Sequence, residues 1–110
     1  MEEEIKSCLE DIQKAIIEIE DFLPDKKDFF AFENDTKTKR AVERNIEIIG
    51  EAVYRILKIS PDIKISSSRK IVDTRNRIIH GYDKVSTDII WAIIVRDIPK
   101  LKEEITLLLK

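Results

Sequence analysis

The chain has 110 residues, of which 43% are hydrophobic and 38% charged, and its formal net charge is −2. These values predict one globular domain over residues 1–110; they exclude a disordered chain and argue against a protein that coats nucleic acid nonspecifically. No apolar run approaches the roughly 20 residues that span a bilayer, and the N-terminus does not resemble a secretory signal, so we expect a cytoplasmic protein that does not cross a membrane.

The N-terminal segment predicts an amphipathic helix over residues 2–23, because its apolar side chains recur at steps of three and four residues. Pro24 should end this helix, since the residue before a proline is pushed out of the α region. Cys8 lies on the apolar stripe and is the single cysteine. We therefore expect a buried thiol, with neither an internal disulfide nor a structural zinc site. Three phenylalanines between residues 28 and 32 predict a short helical turn or a connector at one end of the core.

A second long helix is predicted over residues 36–59, with Asp35 as its N-cap. Gly50 lies in the middle and costs about 1 kcal/mol relative to alanine, which suggests that another backbone approaches closely there. The helix carries two apolar faces, so it should have two packing partners, one in its own core and the other a neighbouring helix or a second subunit. These faces are Ala41, Asn45, Ile48, Ala52, Ile56 and Ile59, and Val42, Ile46, Ile49, Val53 and Leu57.

The serines at 66–68 offer N-caps for a third helix that runs to Ile79 or His80, and Gly81 suits its C′ position. Ser86 or Thr87 should cap a fourth helix, which Pro99 should kink or break before a final helix. No strand pattern or internal repeat is present. The predicted fold is all-α, an antiparallel bundle of four to five helices.

Charge is distributed unevenly along the chain. Residues 1–22 contain eight acids against two lysines, a balance of −6, whereas residues 64–84 contain six basic residues against two acids, a balance of +4. The basic zone is where a polyanionic substrate would bind, although both runs are also compatible with solvated helix faces.

The most compact group of ionisable side chains lies in residues 75–82, Arg-Asn-Arg-Ile-Ile-His-Gly-Tyr. This segment contains the single histidine. An imidazole ionises near neutral pH, and a guanidinium presents a planar fork of donors to phosphate oxygens. His80 and Arg75 could together cleave RNA without a metal. Each of these residues also has a purely structural interpretation. His80 could interact with the helix C-terminus, Arg75 could pair with an acid such as Asp73, and Tyr82 could lie at the edge of the core.

An ideal helix turns 100° per residue, so Arg75 and His80 point about 140° apart. Two arrangements would let them act together. Either the helix ends near Ile79 and His80 turns back, or two copies of the helix meet across a twofold axis. The second arrangement predicts a homodimer, for which the second apolar face of the 36–59 helix could supply the interface.

The segment resembles the signature of the HEPN superfamily, and in particular HepT-like toxins of the MNT-HepT type: Arg75, four residues, His80, one residue, Tyr82, with the polar Asn76 directly after the arginine. The similarity runs in order from about residue 35 to 103. Two further blocks carry it, namely Asp35 to Ala52, and Val85 to Leu101 with Trp91 and Asp97-Ile98-Pro99.

This resemblance implies a metal-independent endoribonuclease that is the toxin of a toxin–antitoxin pair, with a composite site between two subunits and no cofactor. His80 would be the general base, Arg75 and Arg77 would bind phosphate, and Asn76 would orient the histidine or a phosphate oxygen. A nucleotidyltransferase antitoxin would inactivate the enzyme by attaching AMP to Tyr82.

Two other hypotheses remain open from the residues. One is a noncatalytic helical module that docks a nucleotidyltransferase and holds a nucleotide with Arg75 and Arg77. The other is a purely structural helical dimer.

Overall fold

The computed structural model describes residues 2–23, 27–80 and 86–110, and it is built of helices, with no strand among these residues. None of the described helices is long and apolar enough to cross a membrane. The elements are α1 (Glu3–Phe22), α2 (Phe29–Glu33), α3 (Thr36–Ile59), α4 (Ser68–His80), α5 (Thr87–Ala92), a π-helical turn (Ile93–Asp97) and α6 (Ile98–Leu108).

Helix α3 is the centre of the bundle and packs against both α1 and α4. Its buried side chains come from both apolar faces predicted from the sequence. Both faces therefore contribute side chains to the core of one protomer, and α1 and α4 are packing partners of α3. The faces are not buried throughout, because Ile48 is only partly buried and Ile59 is 38% exposed. A dimer interface on α3 stays a prediction.

Helix α1 packs antiparallel against both α3 and α6. Lys102 on α6 pairs with Glu20 near the C-terminal end of α1, with 2.9 Å between Nζ and Oε2. The stripe of α1 is buried as predicted, and Cys8 is only 4% exposed. The antiparallel all-α bundle inferred from periodicity is confirmed.

The phenylalanines between α1 and α3 form helix α2 and a small aromatic cluster. Phe32 is buried, and Phe29 and Phe32 both contact Trp91 of α5, with ring centroids 5.8 and 5.3 Å apart. Phe30 is 72% exposed. Two of the three rings therefore close this end of the core, and the third faces solvent.

The predicted caps of α3 and α5 are present. Asp35 accepts hydrogen bonds from the backbone N–H of Thr38 at 3.1 Å and from its hydroxyl at 2.6 Å. The hydroxyl and the N–H favour the charged carboxylate, so they lower the pKa of Asp35. Ser86 accepts from the N–H of Ile89 at 3.4 Å.

Pro99 does not interrupt the helical backbone, which continues from Thr87 to Leu108. The backbone widens into the π-helical turn immediately before it, where the N–H of Ile98 donates to the carbonyl of Ile93, five residues earlier. A proline in an α-helix lacks the N–H for the carbonyl four residues back and clashes with it. A wider turn relieves this conflict. The helix is therefore perturbed beside Pro99, but it is not broken there.

The connection between α3 and α4 is tied to α6 and to the π-helical turn. The N–H of Ser66 donates to Glu104 at 3.0 Å, and the hydroxyl of Ser67 donates to Asp97 at 3.3 Å. Ser67 was predicted as a possible N-cap, yet its hydroxyl bonds to this carboxylate. Asp97 is 7% exposed, and Lys70 Nζ lies 2.8 Å from its Oδ2, an ion pair by distance rather than a well-aligned hydrogen bond. The start of α4 is therefore held in place by contacts with α6 and with the π-helical turn.

Replacing Lys70 with methionine should lower the free energy of unfolding by about 1–3 kcal/mol, because the buried Asp97 carboxylate loses its nearest cation. Arg96→Met is the matched control: the Arg96 side chain is 70% exposed and its Nε lies 3.7 Å from the same carboxylate. This control should cost no more than about 0.5 kcal/mol. Urea unfolding measures both, and equal losses would contradict the anchoring role of Lys70.

Candidate active site

Helix α4 distributes the predicted site residues over different faces. It remains helical through His80, so Arg75 and His80 keep the angular separation of an ideal helix. The arrangement in which the helix ends at Ile79 and His80 turns back is thus not the one adopted. Arg77 and His80 lie three residues apart and share a face, whereas Arg75 faces α3. Within one protomer the two predicted catalytic groups are not brought together.

The guanidinium of Arg75 is held by side chains around it. Its Nη1 donates to Oδ1 of the adjacent Asn76 at 2.8 Å, and its Nη2 donates to Oε2 of Glu51 on α3. Its Nε is buried and has no hydrogen-bond partner within residues 2–23, 27–80 and 86–110. The side chain as a whole is 21% exposed. Arg75 is therefore largely buried and is held by two side-chain hydrogen bonds.

Gly50 permits this placement of Arg75. A Cβ on Gly50 would lie 2.8 Å from Cγ of Arg75, closer still to its Cβ, and 3.2 Å from the carbonyl oxygen of Ile71. Helix α4 can pack at this distance from α3 only because residue 50 has no side chain. The close approach inferred from a mid-helix glycine is confirmed, and its partner is the backbone that carries Arg75.

An aromatic ring lies beside the same guanidinium. Tyr54 is 40% exposed, and its ring centroid lies 6.0 Å from Cζ of Arg75 and 4.6 Å from Nζ of Lys58. The negative face of an aromatic ring attracts cations at these distances. Tyr54 therefore adds a weak electrostatic contact to the two hydrogen bonds of Arg75.

Arg75 opens into a charged groove of about 340 Å³ between α1, α3 and α4. Its charges are balanced, with three arginines and three acids. Burial raises the pKa of the Cys8 thiol in the wall of the groove, so this thiol is not an activated nucleophile. The lining residues are Cys8, Asp11, Arg44, Glu47, Ile48, Glu51, Ala52, Arg55 and Arg75.

Arg77 lines a different groove, of about 620 Å³, at the N-terminal half of α4. Arg69 and Lys70 lie in the same groove, and Asp73 partly offsets their charge. Part of the basic zone of the sequence therefore faces away from Arg75. His80 is exposed at the end of α4 and lines neither of these two grooves.

Two features of the predicted site lie outside the described residues: the proposed C′ residue Gly81 and the proposed modification site Tyr82. Among the residues that are described, no group of three or more histidine, cysteine or acidic side chains could hold a metal ion.

Comparison with known proteins assigns the chain to a family. A family model described as "Ribonuclease HepT-like" matches residues 12–108. The chain belongs to the HepT-like ribonuclease family. The match includes α3, α4 and the whole of the 75–82 segment, so the resemblance found from the motif is confirmed over most of the chain.

Several curated relatives of this HepT-like chain are similar over nearly their whole length. "Probable ribonuclease HepT" of Thermococcus cleftensis is 38% identical over 104 residues, which cover 88% of this chain and 88% of the relative. "Putative RNase MJ0127" of Methanocaldococcus jannaschii is 31% identical over 111 residues, 97% of this chain and 88% of the relative. No solved structure matches the chain significantly.

Sequence reasoning gave no site role to two residues that contact α4, Glu51 and Asp97. A signal for Glu51 was available, because it directly follows the mid-helix Gly50 and lies on α3 with Glu47 and Tyr54 at steps of three and four residues. Asp97 could also have been singled out from the sequence, because it is an acidic residue in a mainly apolar run just before Pro99. Their partners on α4, however, come from distant positions in the sequence.

Proposed function

We propose that this HepT-like protein is an endoribonuclease that cleaves RNA without a metal ion, with Arg75 and His80 as its catalytic residues. Membership in the ribonuclease family supports the activity on RNA. The observation that carries the site assignment is the guanidinium of Arg75, which lines a groove and is held through one hydrogen bond from each of its two terminal nitrogens. Such a group is suited to binding a phosphate oxygen.

In the proposed reaction the imidazole of His80 takes the proton of a ribose 2′-hydroxyl, and the 2′-oxygen attacks the adjacent phosphorus. The bond from phosphorus to the 5′-oxygen breaks, and this oxygen receives a proton from an imidazolium or from water. Arg75 stabilises the charge that develops on the phosphoryl oxygens. The products are a 2′,3′-cyclic phosphate and a 5′-hydroxyl. Single-stranded RNA fits this chemistry best, because its backbone reaches the in-line geometry that a duplex resists.

The active form is proposed to be a homodimer in which His80 of one copy acts with Arg75 of the other. Both residues lie on one continuous helix and face different directions, which favours a site completed by a second copy. In this assembly Arg77 shares the face of His80 and contacts a flanking phosphate. Asn76 keeps the guanidinium in place through its side-chain oxygen.

The proposed biological role is that of a cytoplasmic toxin controlled by a nucleotidyltransferase antitoxin. The antitoxin would transfer AMP from ATP to the Tyr82 oxygen, with release of pyrophosphate. The adduct would place a bulky anion two residues from His80, which would occupy the cleft and repel RNA. Expression should then arrest growth, and co-expression of the antitoxin should relieve the arrest through a Tyr82 adduct detectable by mass spectrometry.

The deciding experiment is cleavage of single-stranded RNA in the presence of EDTA. We expect products with 2′,3′-cyclic phosphate ends, no cleavage at a 2′-deoxy position, and a loss of activity of about a hundredfold or more in His80→Ala. Arg96→Ala removes an exposed side chain of the π-helical turn and should cleave like the wild type.

Three results would contradict the proposal. Cleavage that needs a divalent ion would rule out the metal-independent mechanism. Full activity and growth arrest in His80→Ala would remove the histidine from the reaction. An inactive wild type that still binds a nucleotidyltransferase would instead support the noncatalytic docking module.

A further inference from the structure

Glu51 holds the guanidinium of Arg75 from a neighbouring helix. It lies on α3, one residue after Gly50, and its Oε2 accepts a hydrogen bond from Nη2 of Arg75 on α4. We propose that Glu51 is a positioning residue for Arg75, an inference that rests on the proposed function. Its part is to fix the plane of the guanidinium before RNA binds.

The contacts around Arg75 come from different directions. Asn76 binds Nη1 from within α4, Glu51 binds Nη2 from α3, and the ring of Tyr54 lies 6.0 Å from Cζ. An unrestrained arginine loses rotamer freedom when it binds a phosphate, and this loss weakens the interaction. A guanidinium that is already fixed avoids most of that cost when it stabilises the transition state.

The hydrogen bonds that hold the Arg75 guanidinium do not use all of its N–H groups. A guanidinium has five N–H groups. Two of them are used by Glu51 and Asn76, and Nε has no hydrogen-bond partner in the described part of the chain. One N–H group on Nη1 and one on Nη2 therefore remain beyond these two hydrogen bonds. Glu51 therefore orients Arg75 while it accepts a hydrogen bond from only one of the guanidinium N–H groups.

The second oxygen of Glu51 also has a partner. Oε1 lies 3.4 Å from Nε of Arg55, one turn further along α3. The carboxylate is thus held between Arg55 and Arg75, with one oxygen toward each. Its side chain is 40% exposed, so water screens its charge, and the direction of the hydrogen bond matters more than the charge.

An opposite role is conceivable for the same contact. As an internal anion, Glu51 could compete with RNA for Arg75 and lower the affinity of the site. Removal of Glu51 would then raise the efficiency of cleavage, whereas loss of a positioning residue lowers it. The two roles therefore differ in the sign of a measurable effect.

The test compares kcat and KM for RNA cleavage by the wild type, Glu51→Ala, Glu51→Gln and Glu47→Ala. Glu51→Ala should lower kcat about tenfold, with a smaller change in KM, because the guanidinium is no longer oriented. Glu51→Gln keeps an oxygen that accepts the Nη2 hydrogen bond, so its kcat should stay within about threefold of the wild type.

Glu47→Ala is the matched control. Glu47 lies one turn before Glu51 and lines the same groove, but it pairs with Arg44 at 3.2 Å. This variant removes an equal charge without touching Arg75. Its kcat should remain within about twofold of the wild type.

A second readout does not depend on cleavage. The Nε–Hε signal of Arg75 in ¹⁵N NMR spectra, assigned by its loss in Arg75→Lys, should be sharp in the wild type, Glu51→Gln and Glu47→Ala. It should broaden or move toward the position of a free arginine in Glu51→Ala. Unchanged kcat and an unchanged signal in Glu51→Ala would overturn the proposal, and so would a rise in kcat/KM. If the wild type cleaves no RNA, the proposed function fails, and the NMR signal alone decides whether Glu51 fixes Arg75.

Discussion

Arg75→Lys should lower the rate of RNA cleavage by on the order of a hundredfold, with the helical fold unchanged. A guanidinium offers several donors in one plane, so Arg75 can bind Glu51, Asn76 and a phosphate at the same time. A lysine has a compact ammonium group that cannot reproduce this geometry, although its charge is the same. The measurement is kcat on single-stranded RNA, together with the circular dichroism spectrum and the thermal midpoint.

Arg69→Lys is the control for the general effect of this substitution. Arg69 lies on the same helix in the other groove and is exposed. Its replacement should leave kcat within about threefold of the wild type. Near-normal kcat in Arg75→Lys would mean that a point charge suffices, and it would contradict the role assigned to the planar fork.

Gly50→Ala should lower the free energy of unfolding by about 1–3 kcal/mol, the usual cost of overpacking. Helix propensity alone predicts the opposite sign, a gain of about 1 kcal/mol from replacing glycine in the middle of a helix. The packing effect should win because the new methyl group meets Cβ of Arg75 and the carbonyl of Ile71. These atoms belong to the backbone of α4 or are attached to it directly, so they move only if the two helices separate.

A double-mutant cycle with Arg75→Gly isolates the cause. Arg75→Gly removes the Cβ that the new methyl group would meet, so Gly50→Ala should cost less in this background than in the wild type. The measurement is urea unfolding of the four proteins. A Gly50→Ala protein that is more stable than the wild type would contradict the close approach of α4 to α3.

Much of the fold follows from local sequence signals. The 3.6-residue periodicity predicted α1 and α3 to within one residue at each end, and Asp35 and Ser86 were foreseen as possible caps. Pro99 was predicted to perturb the helix, but the form of the perturbation, a π-helical turn over Ile93–Asp97, was not predicted. The second apolar face of α3 was also ambiguous, since periodicity shows that a face is buried but does not identify what covers it.

The candidate site was only partly accessible from the sequence. The spacing of Arg75 and His80 pointed to a single helix, and the angle between them followed from helix geometry. The link from Arg75 to Glu51 joins residues 24 positions apart. The link from Ser67 to Asp97 joins residues 30 positions apart. Such pairs cannot be read from local patterns, because many registers of α4 on α3 would bury the same apolar side chains.

The amino-acid sequence alone determined the helical class of this protein, the approximate limits of its long helices and the motif that marks its family. These properties depend on residues close together along the chain, where backbone geometry fixes which side chains share a face. The tertiary structure decided that α1 and α4 both pack against α3, that Arg75 lies against Gly50, and that Glu51 accepts a hydrogen bond from it. These outcomes depend on the distance and register between helices, which only the packing of the whole core sets.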